Sequence, residues 1–158
     1  MQETRLYDFG KMRYRKLPLL WHLPPTPSKG GGGAKSGILE PITNSNRPKV
    51  GDVVTVRLEL RADRDFEYVH LKDMRAAGFE PVNTLSGYRS QGGLWYYESI
   101  KDASVNFFIS QLRRGTYVFE YNLRVTNAGD FSNGITTFQC MYAPEFNAHS
   151  EGVRVRVE

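Results

Sequence analysis

Apolar and polar residues alternate through two consecutive runs in 51–83, and the rest of the chain reads as strands that would cover them. Val54, Val56, Leu58 and Leu60 interleave with Thr55, Arg57, Glu59 and Arg61, the period of two that turns one face of a strand inward. An Asp63-Arg64-Asp65 corner separates this run from a second, in which Phe66, Tyr68, Val69 and Leu71 are the large apolar positions. Residues 73–78 are expected to add one helical turn, and Gly78 and Pro81 close the unit. Two strands alone make no core, so later strands have to supply the other wall.

Those later strands are visible in the pattern. Residues 84–94 form a polar, glycine-rich loop, followed by an aromatic strand at 94–97 and another strand at 104–109. Arg113-Arg114-Gly115 makes a turn into the longest run, 115–125, where Tyr117, Phe119, Tyr121, Leu123 and Val125 share one face and Glu120, Asn122 and Arg124 the other. Ala128-Gly129-Asp130 is a further turn and 135–141 a further strand; 152–157 alternates Val153, Val155 and Val157 with arginines. Seven strand candidates with little helical periodicity predict an all-β fold, an antiparallel β-sandwich of the immunoglobulin or fibronectin type III kind.

The first 37 residues differ from this pattern. A basic run with interleaved aromatics at 11–16 is followed by Pro18, Pro24, Pro25 and Pro27 and then by four glycines at 30–33. The composition divides the chain into an atypical, poorly ordered stretch at 1–37 and a sandwich domain at 38–158. A strand around 12–20 would be confined to an edge by Pro18. Residues 38–42 give a short edge segment leading to a turn at 48–52.

Charge follows the same division. Residues 1–49 hold nine basic and three acidic residues, so the net +4 of the chain is +6 there and −2 over the remainder. The folded part carries interspersed charges with no basic stripe, which excludes a nucleic-acid surface, and the basic N-terminal run reads as a solvated tail. The apolar runs are too short to span a bilayer, so direct membrane insertion is not expected. The opening Met1-Gln2-Glu3-Thr4-Arg5 leads into polar residues and gives no export signal.

Catalytic chemistry is not expected. Ser86, Ser99, Ser104 and Ser110 lack an elbow motif, and the carboxylate pairs Asp63 with Asp65 and Asp73 with Glu80 stand where such residues cap turns or face solvent. His22, His70 and His149 share no ligand spacing with one another or with Cys140, so a metal cluster is not expected, and no cofactor is expected either; Cys140 reads as a buried, inert thiol. His70 reads as exposed or locally hydrogen-bonded. The loop 141–150 differs from the others, because Met141, Tyr142, Pro144, Glu145 and Phe146 combine large apolar groups with a stiffening proline. Two readings stay open for it: a contact surface, or a plug for the end of the sandwich.

With these residues in view, the sequence resembles the C-terminal macroglobulin-like domain of bacterial alpha-2-macroglobulins. The resemblance rests on Val50-Gly51-Asp52 before Val54-x-Val56-x-Leu58, the corner Ala62-Asp63-Arg64-Asp65-x-x-Tyr68-Val69, and Ala77-Gly78-Phe79-Glu80-Pro81-Val82-Asn83. Gly115-Thr116-Tyr117 and Met141-Tyr142-x-Pro144-Glu145 complete it. Ser86-Gly87-Tyr88, Tyr96-Tyr97 and Asp102-Ala103-Ser104 are similar to the Bacteroidetes-type versions. The resemblance implies a non-enzymatic macroglobulin domain of an envelope, periplasmic or extracellular endopeptidase inhibitor. Such an inhibitor traps proteases after bait cleavage, in many members through a thioester. The partners it implies are the thioester domain and other macroglobulin domains of a parent polypeptide, with proteases met through that parent. Met141 and Tyr142 would shield the thioester, and Pro144, Glu145 and Phe146 would complete the contact.

The sequence contains no bait region and no thioester motif, and Cys140 has no Glu-Gln after it. Residues 1–37 depart from the family's usual first strand, which suggests a truncated, fused or frame-shifted gene start. Residues around 14–20 are candidates to replace that strand. The alternative is a free-standing envelope module that uses the same fold for protein–protein contact.

Overall fold

The computed structural model describes residues 42 and 47–158 in full, together with the backbone of short strands at 7–9, 12–16, 20–22 and 39–41. The proline and glycine runs at 24–33, and Pro18, lie outside the described residues. The strands are, in chain order, β1 (Tyr7–Phe9), β2 (Met12–Lys16), β3 (Leu20–His22), β4 (Leu39–Pro41), β5 (Val53–Ala62), β6 (Phe66–Met74), β7 (Phe79–Pro81) and β8 (Gly87–Gln91). They continue with β9 (Leu94–Ile100), β10 (Ser104–Leu112), β11 (Gly115–Val125), β12 (Gly129–Ser132), β13 (Thr136–Cys140), β14 (Ala143–His149) and β15 (Arg154–Val157).

Among the described residues all strand pairing is antiparallel, and two sheets enclose one core. The first runs β1-β2-β5-β11-β7, with β3 also on β5 and β4 on β3; the second runs β14-β13-β6-β10-β9-β8. A two-stranded β12–β15 ribbon completes the described strands. The alternation read in β5 and β11 is what builds the first wall. Val54, Val56, Leu58 and Leu60 are buried along with Phe119, Leu123 and Val125, and the opposite face carries the cross-strand Arg57–Glu120 pair at 3.3 Å. Phe107, Ile109, Leu71, Val69 and Phe138 form the facing wall. Phe107 and Phe119 meet across the core with ring centroids 5.1 Å apart. This is the antiparallel, immunoglobulin-like sandwich that the pattern predicts.

Four local readings need correction. Residues 73–78 make no helical turn, because β6 runs on to Met74 before a turn at Ala77 and Gly78. The polar stretch 84–94 is not a loop throughout: β8 and β9 form a hairpin whose two-residue turn is Gly92-Gly93, with φ of 58° and 80°. Glycine takes that pair of dihedrals without strain, and a primed turn matches the twist of the flanking strands. Gly129 and Asp130 belong to β12, not to a turn. Most of 141–150 is strand β14, and only Met141 and Tyr142 make the turn.

At the other margin, β2 pairs with β5, as a strand around 12–20 would, yet β1 pairs outside it, so β2 is not the outermost strand.

Candidate functional site

The turn between β13 and β14 stands at one end of the second sheet. Its hairpin is irregular: Gln139 pairs with Asn147, but the next residue, Cys140, pairs with Ala143. Pro144, Glu145 and Phe146 therefore lie in a bulge with no opposite residue, where a proline without an N–H breaks no ladder bond. Asn147 fixes the bulge by donating its side-chain N–H to the Pro144 carbonyl at 2.8 Å.

The bulge and turn divide the five candidate residues into two groups. Phe146 packs at an edge-to-face angle on Phe66, centroids 5.9 Å apart; Phe66 in turn meets the buried Phe138 at 5.8 Å, and Arg64 lies 5.6 Å over the Phe146 ring. Phe146 thus caps the sandwich with one face. Met141 and Tyr142 are different, being 54% and 79% exposed. Pro144 and Glu145 are exposed beside them. Behind the turn, the Cys140 thiol is buried and its pKa is pushed up, first by burial and then by the Glu145 carboxylate.

Tyr68 is the residue that sequence reasoning missed. Its carbonyl accepts the Met141 N–H at 2.8 Å, and its ring meets Tyr142 edge-to-face with centroids 5.0 Å apart at 90°. Its backbone φ is 51°, the left-handed region, and no other non-glycine residue among those described has a positive φ. The signal was in the sequence: Phe66 and Val69 are both buried, and their spacing of three cannot belong to one unbroken alternation.

A second exposed aromatic group crosses the outer face of the same sheet. Tyr88 meets Tyr97 at 5.2 Å, Tyr97 is paired with Phe108, and Phe108 stacks on His70 at 4.7 Å and 5°. His70 is also bonded to the Asn106 side-chain oxygen at 3.0 Å, a contact between β6 and β10 rather than a local one. Trp95, 70% exposed, borders a shallow groove of about 370 Å³ on this face. Between the sheets at the β8 edge, a smaller cleft of about 240 Å³ holds the Arg89–Glu98 pair at 3.1 Å. Among the described residues, no three histidine, cysteine or carboxylate side chains come together as a metal site would require, and no helix is long and apolar enough to cross a membrane.

Among comparisons with known proteins, a family model gives the domain type and solved structures give the fold. A family model described as the bacterial alpha-2-macroglobulin MG10 domain matches residues 29–145. Escherichia coli alpha-2-macroglobulin activated by porcine elastase has a similar structure, with a TM-score of 0.69 and 14% identity over 99% of this chain and 14% of that one. Salmonella alpha-2-macroglobulin reacted with methylamine gives 0.61 and 16% over 95% of this chain and 10% of that one. Among curated proteins, circularly permutated Ras protein 2 of Dictyostelium discoideum is 28% identical over 106 residues, 67% of this chain and 3% of that protein. The chain spans a small part of each of these relatives, and the structural likenesses establish the fold.

Proposed function

This chain belongs to the bacterial alpha-2-macroglobulin MG10 domain family, and from that membership we propose that it serves as a non-catalytic final domain of a protease trap. In that role its Met141–Tyr142 turn packs on the thioester domain of a parent polypeptide and shields the thioester from water. The observation that carries this reading is the exposure of two large apolar side chains at a turn whose backbone is tied to the sheet. An activated acyl group lasts only where water is excluded, and a flexible thioether beside a rigid ring makes an adaptable cover. Catalysis is foreign to this role, and the raised pKa of the buried Cys140 is the reverse of what a nucleophile needs. The domain would work in the cell envelope or outside the cell, meeting proteases through its parent.

Two measurements test the proposal. Replacing both Met141 and Tyr142 by Ala should change the unfolding free energy of the chain by less than about 1 kcal/mol; a loss above about 2 kcal/mol would assign the turn to the core. A photo-crosslinking amino acid at position 142, in cells expressing the chain from its native locus, should capture a segment of the same polypeptide. The outer aromatic row favours a second reading, a free-standing contact module, and capture of a separate protein would select it. Capture of nothing would remove the contact role.

A further inference from the structure

We propose that Tyr68 is the positioning residue of the contact turn: its left-handed backbone and its exposed ring together hold Met141 and Tyr142 in their outward presentation. This rests on the contact reading of that turn. Three observations converge on it. A bulky residue at φ 51° is a strained choice where glycine would sit freely, and strain of this kind persists only where the surroundings over-determine it. The ring contributes little to the core, because Tyr68 is 49% exposed while its neighbours Phe66 and Val69 are buried. What the ring does contact is Tyr142, and what the carbonyl bonds is the Met141 N–H.

The geometry explains why one residue serves both purposes. The β6–β13 ladder ends with Val69 opposite Cys140, and the Met141 N–H bond to Tyr68 extends it by one step into the turn itself. At Tyr68 the alternation of β6 breaks, so that Phe66 points inward three residues before Val69. The partner strand breaks in the same place, with Leu112 buried opposite Phe66 and Ile109 buried opposite Val69. Both strands keep their register through the break. The change of buried face therefore falls at Tyr68 and leaves its ring outside, where it braces the turn.

Amide hydrogen exchange on the full chain tests this without a partner. In Tyr68→Gly the Met141 amide, bonded to the Tyr68 carbonyl, should exchange about tenfold faster, while the Phe138 amide, which reports opening of the core, keeps its rate. Tyr68→Phe should keep the slow exchange and the ring contact to Tyr142 seen by NMR, because the contact is made by the ring face and edge. Tyr68→Asn, tolerated at left-handed φ, should behave like Tyr68→Gly and serves if the glycine variant is poorly folded. Unchanged exchange at Met141 in both ring-less variants would overturn the proposal. So would an equal acceleration at Met141 and Phe138, or failure of both variants to fold, since Tyr68 would then be a core residue. These outcomes are independent of crosslinking at position 142, so the contact role can fail while the positioning role stands.

Discussion

Asp73 shows how far one side chain can depart from its sequence reading. Its place after an alternating run suggested a turn cap or a solvent-facing carboxyl, but it has no exposed surface. It accepts hydrogen bonds from the hydroxyls of Thr136 and Tyr121, each at 2.5 Å. Thr136 is its partner in the same sheet and Tyr121 belongs to the other, so the carboxyl ties the two sheets together. A buried hydroxyl left without its acceptor costs about 1–3 kcal/mol, and the cavity adds to that. Asp73→Ala should therefore lower the unfolding free energy by about 3 kcal/mol in urea titrations, and Asp73→Asn, which keeps one acceptor oxygen, by less. An Asp73→Ala loss under about 1 kcal/mol would mean that the bonds between the sheets contribute little.

Elements were legible wherever one face is buried along an unbroken strand. The alternation in β5 and β11 gave their inward residues, because burial and period say the same thing there, but not their partners: the runs at 54–60 and 66–71, read as a pair with one shared apolar face, fall in opposite sheets, and β5 pairs with β11 instead. It failed where backbone conformation rather than burial decides. Gly92 and Gly93 read as loop residues, although their positive φ is what closes the β8–β9 hairpin; Tyr68 read as one more apolar strand position, although it breaks the strand's phase. The contact turn was legible as a cluster of large side chains, but the bulge that sets Phe146 apart from Met141 depends on long-range register. Gly134 is a further backbone-decided position, with φ 64° and an ideal Cβ that would stand 2.5 Å from the Cβ of Met74. Left-handed strain and a clash with the body of a strand residue add, so Gly134→Ala should cost about 2–4 kcal/mol. Thermal unfolding would read this, and a variant as stable as the parent would show that the loop between β12 and β13 can move aside.

The sandwich as a whole should lose stability on the alkaline side, because burial raises the pKa of both the Cys140 thiol and the Tyr96 phenol. The Tyr96 ring stands between the walls, 5.6 Å from Phe107 in its own sheet and 5.3 Å from Phe119 in the other, and its hydroxyl donates to the Gln91 side-chain oxygen at 3.2 Å. Burial holds the phenol pKa above its ordinary 10.0; the Glu98 carboxylate pushes the same way and the Arg89 guanidinium opposes. A pKa higher in the folded than in the unfolded chain means that the folded state binds more protons between the two values. The stabilisation it represents is complete below the unfolded value of 10.0 and is lost as pH rises from there through the folded value. Tyr96→Phe removes the titrating group while keeping the ring that joins the walls. At neutral pH it should cost about 1 kcal/mol for the hydrogen bond, and between about pH 9 and 11 its unfolding free energy should fall less steeply than that of the parent. Cys140 is present in both proteins, so the difference between the two slopes isolates this phenol. Equal slopes would mean that Tyr96 titrates alike in the folded and unfolded chains, and that the centre of the sandwich admits water more readily than its packing indicates.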